Sequence, residues 1–482
     1  MPVDLTQPGP IDHKDPRFRT LLSQLQGNIL KSHGRDYAVH VFFRFGKDAG
    51  AVRRMLARLT TSYVTSAAAQ EEQGAAYRAG GARQSLFGAL MLSARGLAAL
   101  GCKLPAGFGE ATMQPATSAP VSFAKPMKAA AAVLGDKPAQ WDPGFRDGDI
   151  DAMLLLAMGN ADEVFDADAI PTALLDAAKA AQAVIAGAGS VAALELGQQQ
   201  RRGDDAVEHF GFVDGISQPA LIRDHLPPAG QMQHNDPSAS LDLALVRDPF
   251  VTAEDACGSF FVFRKLEQDV AAFRAEERKL AKDLGGISAG LAGAMMVGRF
   301  ADGTPVLDGK PDGKQHNDFS YAEDAAPPPE FPSRCPFHAH IRKTNPRGDI
   351  RRQFGLDAAA DADERRRRIV RRGITYGTRD DRLEDAPKGG VGLLFQCYQR
   401  SIPDQFAFMQ NAWANSEDFV RPGGSGHDSI IGQGPRTVQQ SWPKAFGKPE
   451  QAKLPGQRQL VQDRGGEFFW TPSMAFLRGL GG

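Results

Sequence analysis

The sequence predicts an α+β fold in which the βαββαβ unit of ferredoxin-like domains, an antiparallel sheet with two helices on one face, occurs twice. Three observations lead to this prediction. The chain has 482 residues, which is too long for one simple hydrophobic core, because such cores stop growing near roughly 250–300 residues. Strand-like and helix-like segments follow the same order in both halves. The first strand of each half also carries a similar aromatic run, at residues 42–45 and 260–264.

The first half contains every element of one unit. Residues 39–45 are β-branched and aromatic, which is typical of a strand, and residues 49–59 carry apolar side chains at helical spacing. A second helix is predicted to open at Asp168-Ala169-Ile170-Pro171 and to run through residue 186, since proline is favoured in a first helical turn. The remaining elements are strands at residues 86–92, 151–158 and 191–196.

The second half repeats this order. A strand at residues 259–264 precedes a long amphipathic helix that ends near residue 284. The remaining elements are strands at 369–376, 391–398 and 467–470 and a helix at 403–414. Residues 222–257 are rich in Pro and Asp and are predicted to form a surface connection. The domains are predicted at residues 1–230 and 231–482, with long insertions near 93–150, 299–340 and 416–465.

Charge and composition exclude several classes of protein. The formal net charge is −1 at pH 7, so nucleic acid is not a predicted partner. The most apolar stretches, such as residues 86–92 and 153–158, are far shorter than the roughly 20 residues of a membrane span. Residues 1–17 lack the apolar core of a secretory signal. The four cysteines are far apart, which argues against a disulfide framework or a thiolate zinc site and favours the cytoplasm.

Three short segments offer the side chains of a reactive site. Residues 209–217 read His-Phe-Gly-Phe-Val-Asp-Gly-Ile-Ser and hold Asp214 in a turn bounded by glycine. Residues 335–347 read Cys-Pro-Phe-His-Ala-His-Ile-Arg-Lys-Thr-Asn-Pro-Arg and offer an imidazole that can bind a metal. Residues 371–377 read Arg-Arg-Gly-Ile-Thr-Tyr-Gly and supply a permanent cation. Together they provide one acid, one metal ligand and one fixed positive charge.

In residue type and order these segments resemble those of dye-decolourising peroxidases, and Asp214 occupies that family's Gly-x-x-Asp-Gly motif. The likeness extends to the Gln-Gly-Asn-Ile-Leu segment at residues 26–30, so it covers most of the chain. The resemblance implies two ferredoxin-like domains, with haem in the C-terminal domain near the domain interface. It also implies a peroxidase that uses hydrogen peroxide to oxidise dyes, phenols and other small aromatic reductants through an oxoferryl intermediate. One haem b per chain is expected, held non-covalently because the chain lacks Cys-x-x-Cys-His.

His340 is the residue that the resemblance assigns as the iron ligand, and a neutral imidazole is a usual axial ligand of haem. His338 is an alternative, because residues two apart lie on the same face of an extended segment. The resemblance also implies that Asn345, Pro346 and Arg347 lie against the haem edge. Arg347 is then expected to pair with a propionate, as guanidinium groups do with carboxylates.

Asp214 is the acid that the resemblance assigns to the other side of the iron. Gly211 and Gly215 permit a sharp turn and a close approach of the backbone to a flat ligand. The backbone of Gly215, Ile216 and Ser217 is therefore expected to touch the porphyrin. An Asp-Gly turn that only closes a hairpin is the alternative. In the mechanism that the resemblance implies, Asp214 takes a proton from one oxygen of peroxide and delivers it to the other, which leaves as water.

Arg371 is the cation that the family pattern Arg-x-Gly-x-x-aromatic-Gly assigns to the same pocket. The basic run at residues 365–372 is usually a solvated face, and such a run can also mark a polyanion site. On a strand, however, Arg371 and Arg372 point to opposite faces, so only one of them can enter the pocket. Arg371 there would polarise the O–O bond. It would also keep Asp214 ionised, because a nearby positive charge lowers the pKa of a carboxyl group.

Other residues have weaker assignments. Residues 393–395 are candidates for the pocket wall, and His209 is expected to be structural. A carboxylate that orients His340 is expected, but the sequence does not identify it, although Asp404 lies near the last predicted helix. Four aromatic residues are expected to pack in the core, with electron relay as the alternative: Tyr376, Tyr398, Trp413 and Trp470.

Two other functions remain open at this point. A haem carrier or iron-release protein of the same fold would bind haem through His340 with little peroxidase turnover, but the chain retains both Asp214 and Arg371. A non-haem metal hydrolase built on His338 and His340 lacks a visible further ligand. A homo-oligomer is compatible with the sequence.

Overall fold

The computed structural model describes residues 2–80, 85–113, 121–159, 170–226, 236–321, 332–354, 358–379, 386–421 and 424–481. The strands are β1 (Tyr37–Phe45), β2 (Phe87–Leu92), β3 (Ala152–Met158), β4 (Gly189–Gln198), β5 (Gln200–Arg202), β6 (Asp205–Val207), β7 (Val246–Arg247), β8 (Cys257–Gln268), β9 (Val370–Arg371), β10 (Ile374–Tyr376), β11 (Gly392–Gln399), β12 (Gln440–Pro443), β13 (Gln451–Leu454) and β14 (Val461–Thr471).

The α-helices are α1 (Arg19–Gln24), α2 (Ala49–Tyr63), α3 (Ala67–Arg78), α4 (Ala94–Ala99), α5 (Ala131–Leu134), α6 (Pro143–Arg146), α7 (Thr172–Ala186), α8 (Val270–Asp283), α9 (Ala289–Val297), α10 (His340–Thr344), α11 (Asp349–Phe354), α12 (Ala358–Arg366) and α13 (Met474–Gly479). Two further segments are π-helical, Pro403–Ala407 and Met409–Ala414. Short 3-10 turns occur at Pro16–Phe18, Met127–Ala130, Pro138–Gln140, Arg223–His225, Leu241–Leu243 and Val306–Asp308.

Both units have the strand order of a ferredoxin-like sheet. Across the sheet the first unit has the order β2-β3-β1-β4, and the second has the order β10-β11-β8-β14. Neighbouring strands pair in antiparallel fashion in both units. The units join where Trp470 of β14 pairs with Leu92 of β2, which gives one 10-stranded sheet. The predicted fold class of two ferredoxin-like units is confirmed.

The outer edges of the joined sheet are also linked. The hydroxyl of Thr375 on β10 donates to the carbonyl of Gln198 on β4, and it accepts a hydrogen bond from the amide of Gln200 at 3.1 Å. Inside, Phe42 of β1 packs edge-on against Phe263 of β8, with 4.7 Å between the ring centroids. The first strands of the two units therefore share one hydrophobic core.

Helix caps explain where the first long helix of each unit begins. The carboxylate of Asp48 accepts hydrogen bonds from the amides of Gly50 and Ala51 at the start of α2. Asp269 accepts one from the amide of Ala272 at the start of α8. Such caps satisfy amides that have no partner inside the helix. Each of these helices follows directly on the first strand of its unit, as the sequence predicts.

Some predicted elements differ in detail. The predicted strand at 369–376 is interrupted between β9 and β10, although both pieces keep the same register with β11. The predicted helix at 403–414 is two π-helical segments. The helix predicted from Asp168 begins at Thr172 as α7; Asp168 and Ala169, like the predicted domain boundary at 230/231, lie outside the described residues. In the described part of the chain, no helix is both long enough and apolar enough to cross a membrane.

Candidate active site

A cavity opens against the sheet of the second unit. Asp214 lines it from the loop after β6, Arg371 from β9 and His340 from the start of α10. The three segments singled out in the sequence therefore meet at one cavity. Much of the remaining wall is apolar and includes Leu266, Leu393, Phe395, Phe406, Met409, Ile430 and Ile431.

Hydrogen bonds inside the loop fix the turn that carries Asp214. The carboxylate of Glu208 accepts from the amides of Phe210 and Phe212 at 2.8 and 2.9 Å. Gly215 has a φ of 82°, a left-handed conformation that glycine adopts without steric cost. Sequence reasoning did not single out Glu208, whose role depends on which amides the folded loop presents to it.

Arg371 and Asp214 form an ion pair on the cavity wall. Nη1 of Arg371 lies 2.7 Å from Oδ1 of Asp214, and Nη2 donates to the carbonyl of Ser217 at 3.3 Å. The amide of Gly215 donates to the same Oδ1 at 2.6 Å, whereas no hydrogen bond from a described residue reaches Oδ2. Burial by itself would raise the pKa of the Asp214 carboxyl, but the charge and hydrogen bonds of Arg371 bring the pKa below its ordinary value. Asp214 is therefore held as a carboxylate, and one of its oxygens accepts no hydrogen bond from the described residues.

Arg372 points away from this cavity, as the alternation of side chains along a strand predicts. Its Nε and Nη2 donate to the carbonyls of Asn28 and Ile29 at 2.7 and 2.9 Å. Both acceptors belong to the Gln-Gly-Asn-Ile-Leu segment at residues 26–30. That segment is thus tied to the strand that carries Arg371, and of the two arginines only Arg371 lines the cavity.

The imidazole of His340 is oriented by Asp428. Nδ1 of His340 donates to Oδ2 of Asp428 at 2.9 Å, which leaves the lone pair on Nε2. Oδ1 of Asp428 accepts from the amides of Ile430 and Ile431 at 2.7 and 2.9 Å. Burial opposes ionisation of this carboxyl, but His340 and the two amides together lower its pKa. The ring is therefore fixed in one tautomer by a fixed carboxylate.

Asp428 is a candidate site residue that has no signature in the sequence. It lies in the long segment that follows the π-helical residues, where no periodic pattern marks it. Asp404, the acid nearest to the predicted helix, is turned elsewhere: its carboxylate accepts from the amide of Thr112 at 2.7 Å and from the hydroxyl of Ser401 at 2.9 Å. A contact between residues 88 positions apart leaves no local pattern in a single sequence.

His338 does not accompany His340 to the cavity. Because α10 begins at His340, the two histidines do not share one extended segment, and the expectation that they lie on the same face is wrong. The ring of His338 packs edge-on against Trp442, with 4.3 Å between the centroids, and burial lowers its pKa to about 3. Within the described residues no three His, Cys, Asp or Glu side chains come together as a metal site. A non-haem hydrolase built on these histidines has no ligand set there.

The other predicted cofactor-binding residues fall into two groups. Those that line the cavity are Gly215, Ile216, Ser217 and Asn345. Pro346 and Arg347 are buried and do not line it. Arg347 donates instead from Nη2 to the hydroxyl of Ser217 at 3.1 Å, so it supports the turn that follows Asp214.

The residues with weaker assignments are mostly buried. Leu393 and Phe395 line the cavity, whereas Leu394 faces the other side of β11 and is fully buried. Nε2 of His209 lies 2.8 Å from the carbonyl of Tyr376 in the interior, which is a structural arrangement. The four aromatic residues considered for electron relay, Tyr376, Tyr398, Trp413 and Trp470, are all buried.

Comparison with known proteins identifies the family. A profile described as "Dyp-type peroxidase, C-terminal" matches residues 334–426. The chain is 38% identical to the multifunctional dye peroxidase DyP2 of Amycolatopsis sp., with 100% of both chains covered. It is 32% identical to the dye-decolourising peroxidase AauDyP1 of Auricularia auricula-judae, with 71% of this chain and 67% of that one covered.

Solved structures agree with the sequence comparison. The DyP-type peroxidase AnaPX of Anabaena sp. has a TM-score of 0.86 and 37% identity, with 99% of this chain and 98% of that chain covered. DyP2 from Amycolatopsis sp. has a TM-score of 0.84 and 35% identity, with 99% and 100% covered. Similarity over the full length in both sequence and fold leads to one conclusion: this chain belongs to the dye-decolourising peroxidase family and is a peroxidase.

Proposed function

We propose that the chain binds one haem b non-covalently in this cavity, that His340 would hold its iron, and that the chain uses hydrogen peroxide to oxidise dyes, phenols and other small aromatic reductants. The family implies a haem cofactor. One observation carries the proposal: an imidazole oriented by Asp428 and the ion pair of Arg371 with Asp214 line the same cavity. A metal ligand, a fixed cation and an ionised acid are the groups that peroxide cleavage requires.

The residues around the cavity fit a haem. Nε2 of His340 offers the lone pair that iron needs, and Leu393 and Phe395 offer the apolar surface that a porphyrin face needs. Arg347 is buried, and its Nε has no hydrogen-bond partner in the described part of the chain, so a propionate would supply the missing counter-charge. The porphyrin edge would be held by Gly215, Ile216, Ser217 and Asn345, which line the cavity. When bound, haem supplies the redox centre that takes oxidising equivalents from peroxide and passes them to the reductant.

Asp214 carries the proton in this proposal. Its carboxylate accepts a proton of peroxide at Oδ2, the oxygen without a hydrogen bond from described residues, and then gives it to the oxygen that leaves as water. Arg371 keeps the carboxylate in place and ionised at mildly acidic pH. Its guanidinium also stabilises the negative charge that develops as the O–O bond breaks.

His340 and Asp428 act as a pair. Asp428 holds Nδ1–H of the imidazole, so the ring keeps one orientation and Nε2 points in one direction. The negative charge of the buried carboxylate also strengthens the ring as a metal ligand. Asp428 is thus a positioning residue that acts through His340.

Small phenols are the reductants that we propose to test first. A dye-decolourising peroxidase with a TM-score of 0.72 and 26% identity to this chain is described in complex with 2,6-dimethoxyphenol. The cavity offers both apolar walls and polar groups, as binding of such a phenol requires.

The four cysteines are free, which supports a reducing compartment such as the cytoplasm.

The proposal is tested by reconstituting the purified chain with hemin. The absorption spectrum is recorded before and after hydrogen peroxide, and oxidation of 2,6-dimethoxyphenol is followed in parallel. We expect one hemin per chain, a spectral change with peroxide and catalytic turnover of the phenol. A chain that binds hemin but does not turn over the phenol would be a haem carrier. A chain that does not bind hemin would contradict the proposal as a whole.

A further inference from the structure

Two guanidinium groups are buried next to the cavity, and no carboxylate of a described residue lies within ion-pair distance of either. Arg299, which follows α9, is 3% exposed, and Arg347 is 5% exposed. They lie near the same ring, Phe319, at 5.4 and 4.0 Å from its centroid. In the described part of the chain, neither forms an ion pair with a carboxylate. Arg299 lines the cavity, whereas Arg347 does not.

The hydrogen bonds of both groups go to neutral acceptors. Nη1 of Arg299 donates to the carbonyls of Gly303 and His316 at 2.7 and 2.9 Å, and Nη2 donates to Oδ1 of Asn317 at 2.6 Å. Nη1 of Arg347 donates to the carbonyl of the same Asn317 at 2.7 Å. Asn317 therefore holds the two guanidinium groups side by side.

This arrangement is electrostatically costly unless an anion completes it. A buried charge without a counter-charge is strongly disfavoured, because its hydration is lost and little replaces it. Burial, together with the neighbouring charges of Arg347 and Arg371, lowers the pKa of Arg299 to about 10. Hydrogen bonds hold the two cations in place in spite of their mutual repulsion. Such a pair is suited to receive two negative charges from the cavity side.

We propose that Arg299 is a carboxylate-binding residue that, together with Arg347, receives the two propionate groups of the haem. The assignment rests on the proposed haem binding and adds a residue to it. Two buried cations match two propionates in charge and number. Arg299 is the group of the pair that reaches the cavity surface, so it is the more direct contact. Its position outside the three sequence segments explains why the sequence did not reveal it.

The test separates the carboxylates of the ligand from its iron and ring. Apoproteins of the wild type, Arg299→Gln, Arg299→Lys and the exposed control Arg58→Gln are titrated with hemin and with hemin dimethyl ester, which lacks the propionate charges, in the same detergent buffer. We expect the wild type to prefer hemin over its ester. Arg299→Gln should reduce that preference roughly 10- to 100-fold, the range for a lost hydrogen bond to a charged group. Arg299→Lys should keep most of the preference, and Arg58→Gln all of it.

The outcomes separate this assignment from the function on which it rests. If the wild type binds hemin and Arg299→Gln keeps the wild-type preference, the assignment of Arg299 is overturned and haem binding stands. If the wild-type apoprotein does not bind hemin, the proposed function is wrong and the assignment falls with it. Circular dichroism of each apoprotein establishes that the variant is folded. If Arg299→Gln does not fold, Arg299→Met replaces it, because methionine retains the length and apolar stem of the side chain. The affinity for hemin relative to the affinity for its dimethyl ester is then compared with the wild-type value in the same way.

Discussion

Nη1 of Arg371 lies 2.7 Å from Oδ1 of Asp214, although the two residues are 157 positions apart in the chain. The turn before Ser217 brings the acid to the cavity, and β9 brings the cation. Because Oδ1 also accepts the amide of Gly215, the ion pair and the turn fix the same oxygen. The pair therefore determines both the position of the carboxylate and its charge.

Asp214→Asn removes the proposed proton acceptor while keeping the size of the side chain. We expect the variant to retain haem and to react with hydrogen peroxide roughly 10²- to 10⁴-fold more slowly, the usual range for general acid–base catalysis. Stopped-flow absorbance with increasing peroxide measures the rate constant. Arg372→Leu is the control: it should lose stability, because Arg372 holds Asn28 and Ile29, but react at a near-normal rate. An unchanged rate in Asp214→Asn would leave Arg371 as the main catalytic group.

The pH dependence of peroxide cleavage reports on the same ion pair. In the wild type the pKa of Asp214 is lowered, so the carboxylate stays ionised at mildly acidic pH and the reaction persists there. Arg371→Leu removes the largest of the effects that oppose burial, so the pKa of the Asp214 carboxyl should rise. The acid limb of the rate profile, measured from pH 3 to 8, should move to higher pH in this variant. Coincident acid limbs would show that Arg371 does not control the ionisation of Asp214.

Asp428→Asn tests the orientation of His340. The amide cannot act as the charged acceptor of Nδ1–H, so the orientation of the ring is held less firmly and the negative charge behind it is lost. We expect haem affinity or activity to fall by roughly 10- to 100-fold, the usual effect of removing a carboxylate that holds a metal-binding histidine. Hemin titration and the reduction potential of the bound haem measure the effect, and the potential should rise. Asp404→Asn, which alters an acid that contacts Thr112 and Ser401 instead, should leave the potential unchanged.

Glu467 should make the stability of the apoprotein depend on pH. The side chain is 5% exposed, and burial raises its pKa from 4.5 to about 7. The folded state thus keeps a proton that the unfolded state releases, so the free energy of unfolding falls as the pH rises from about 4.5 to about 7. Glu467→Gln should remove on the order of 1–3 kcal/mol of that fall. Urea denaturation across this pH range measures the free energy of unfolding, with Glu72→Gln as the exposed control. If Glu467→Gln and Glu72→Gln showed the same pH dependence of stability, Glu467 would not be the source of the effect.

Local patterns predicted the fold better than they predicted the site. The alternation of side chains along a strand predicted that Arg371 and Arg372 point to opposite faces. The order of strands and helices predicted both ferredoxin-like units. Both features depend on residues that are close together in the chain, so they can be recognised in a single sequence. Asp428 and Arg299 could not be found in this way. Asp428 contacts a residue 88 positions away, and Arg299 stands out only because it is buried in the fold and forms no ion pair with a described carboxylate. Similarly, the sequence could not show that a helix begins at His340 and separates it from His338.

Every other role proposed for the cavity depends on the binding of haem iron by His340, and the haem content of two histidine variants shows whether that binding occurs. His340→Ala and His338→Ala are purified, checked for folding by circular dichroism, loaded with hemin and assayed as the pyridine haemochromogen per folded chain. We expect His340→Ala to lose most of its haem or its wild-type absorption spectrum. His338→Ala should keep both, with a loss of stability from its contact with Trp442. Loss of haem in His338→Ala together with a normal spectrum in His340→Ala would show that His340 does not hold the iron.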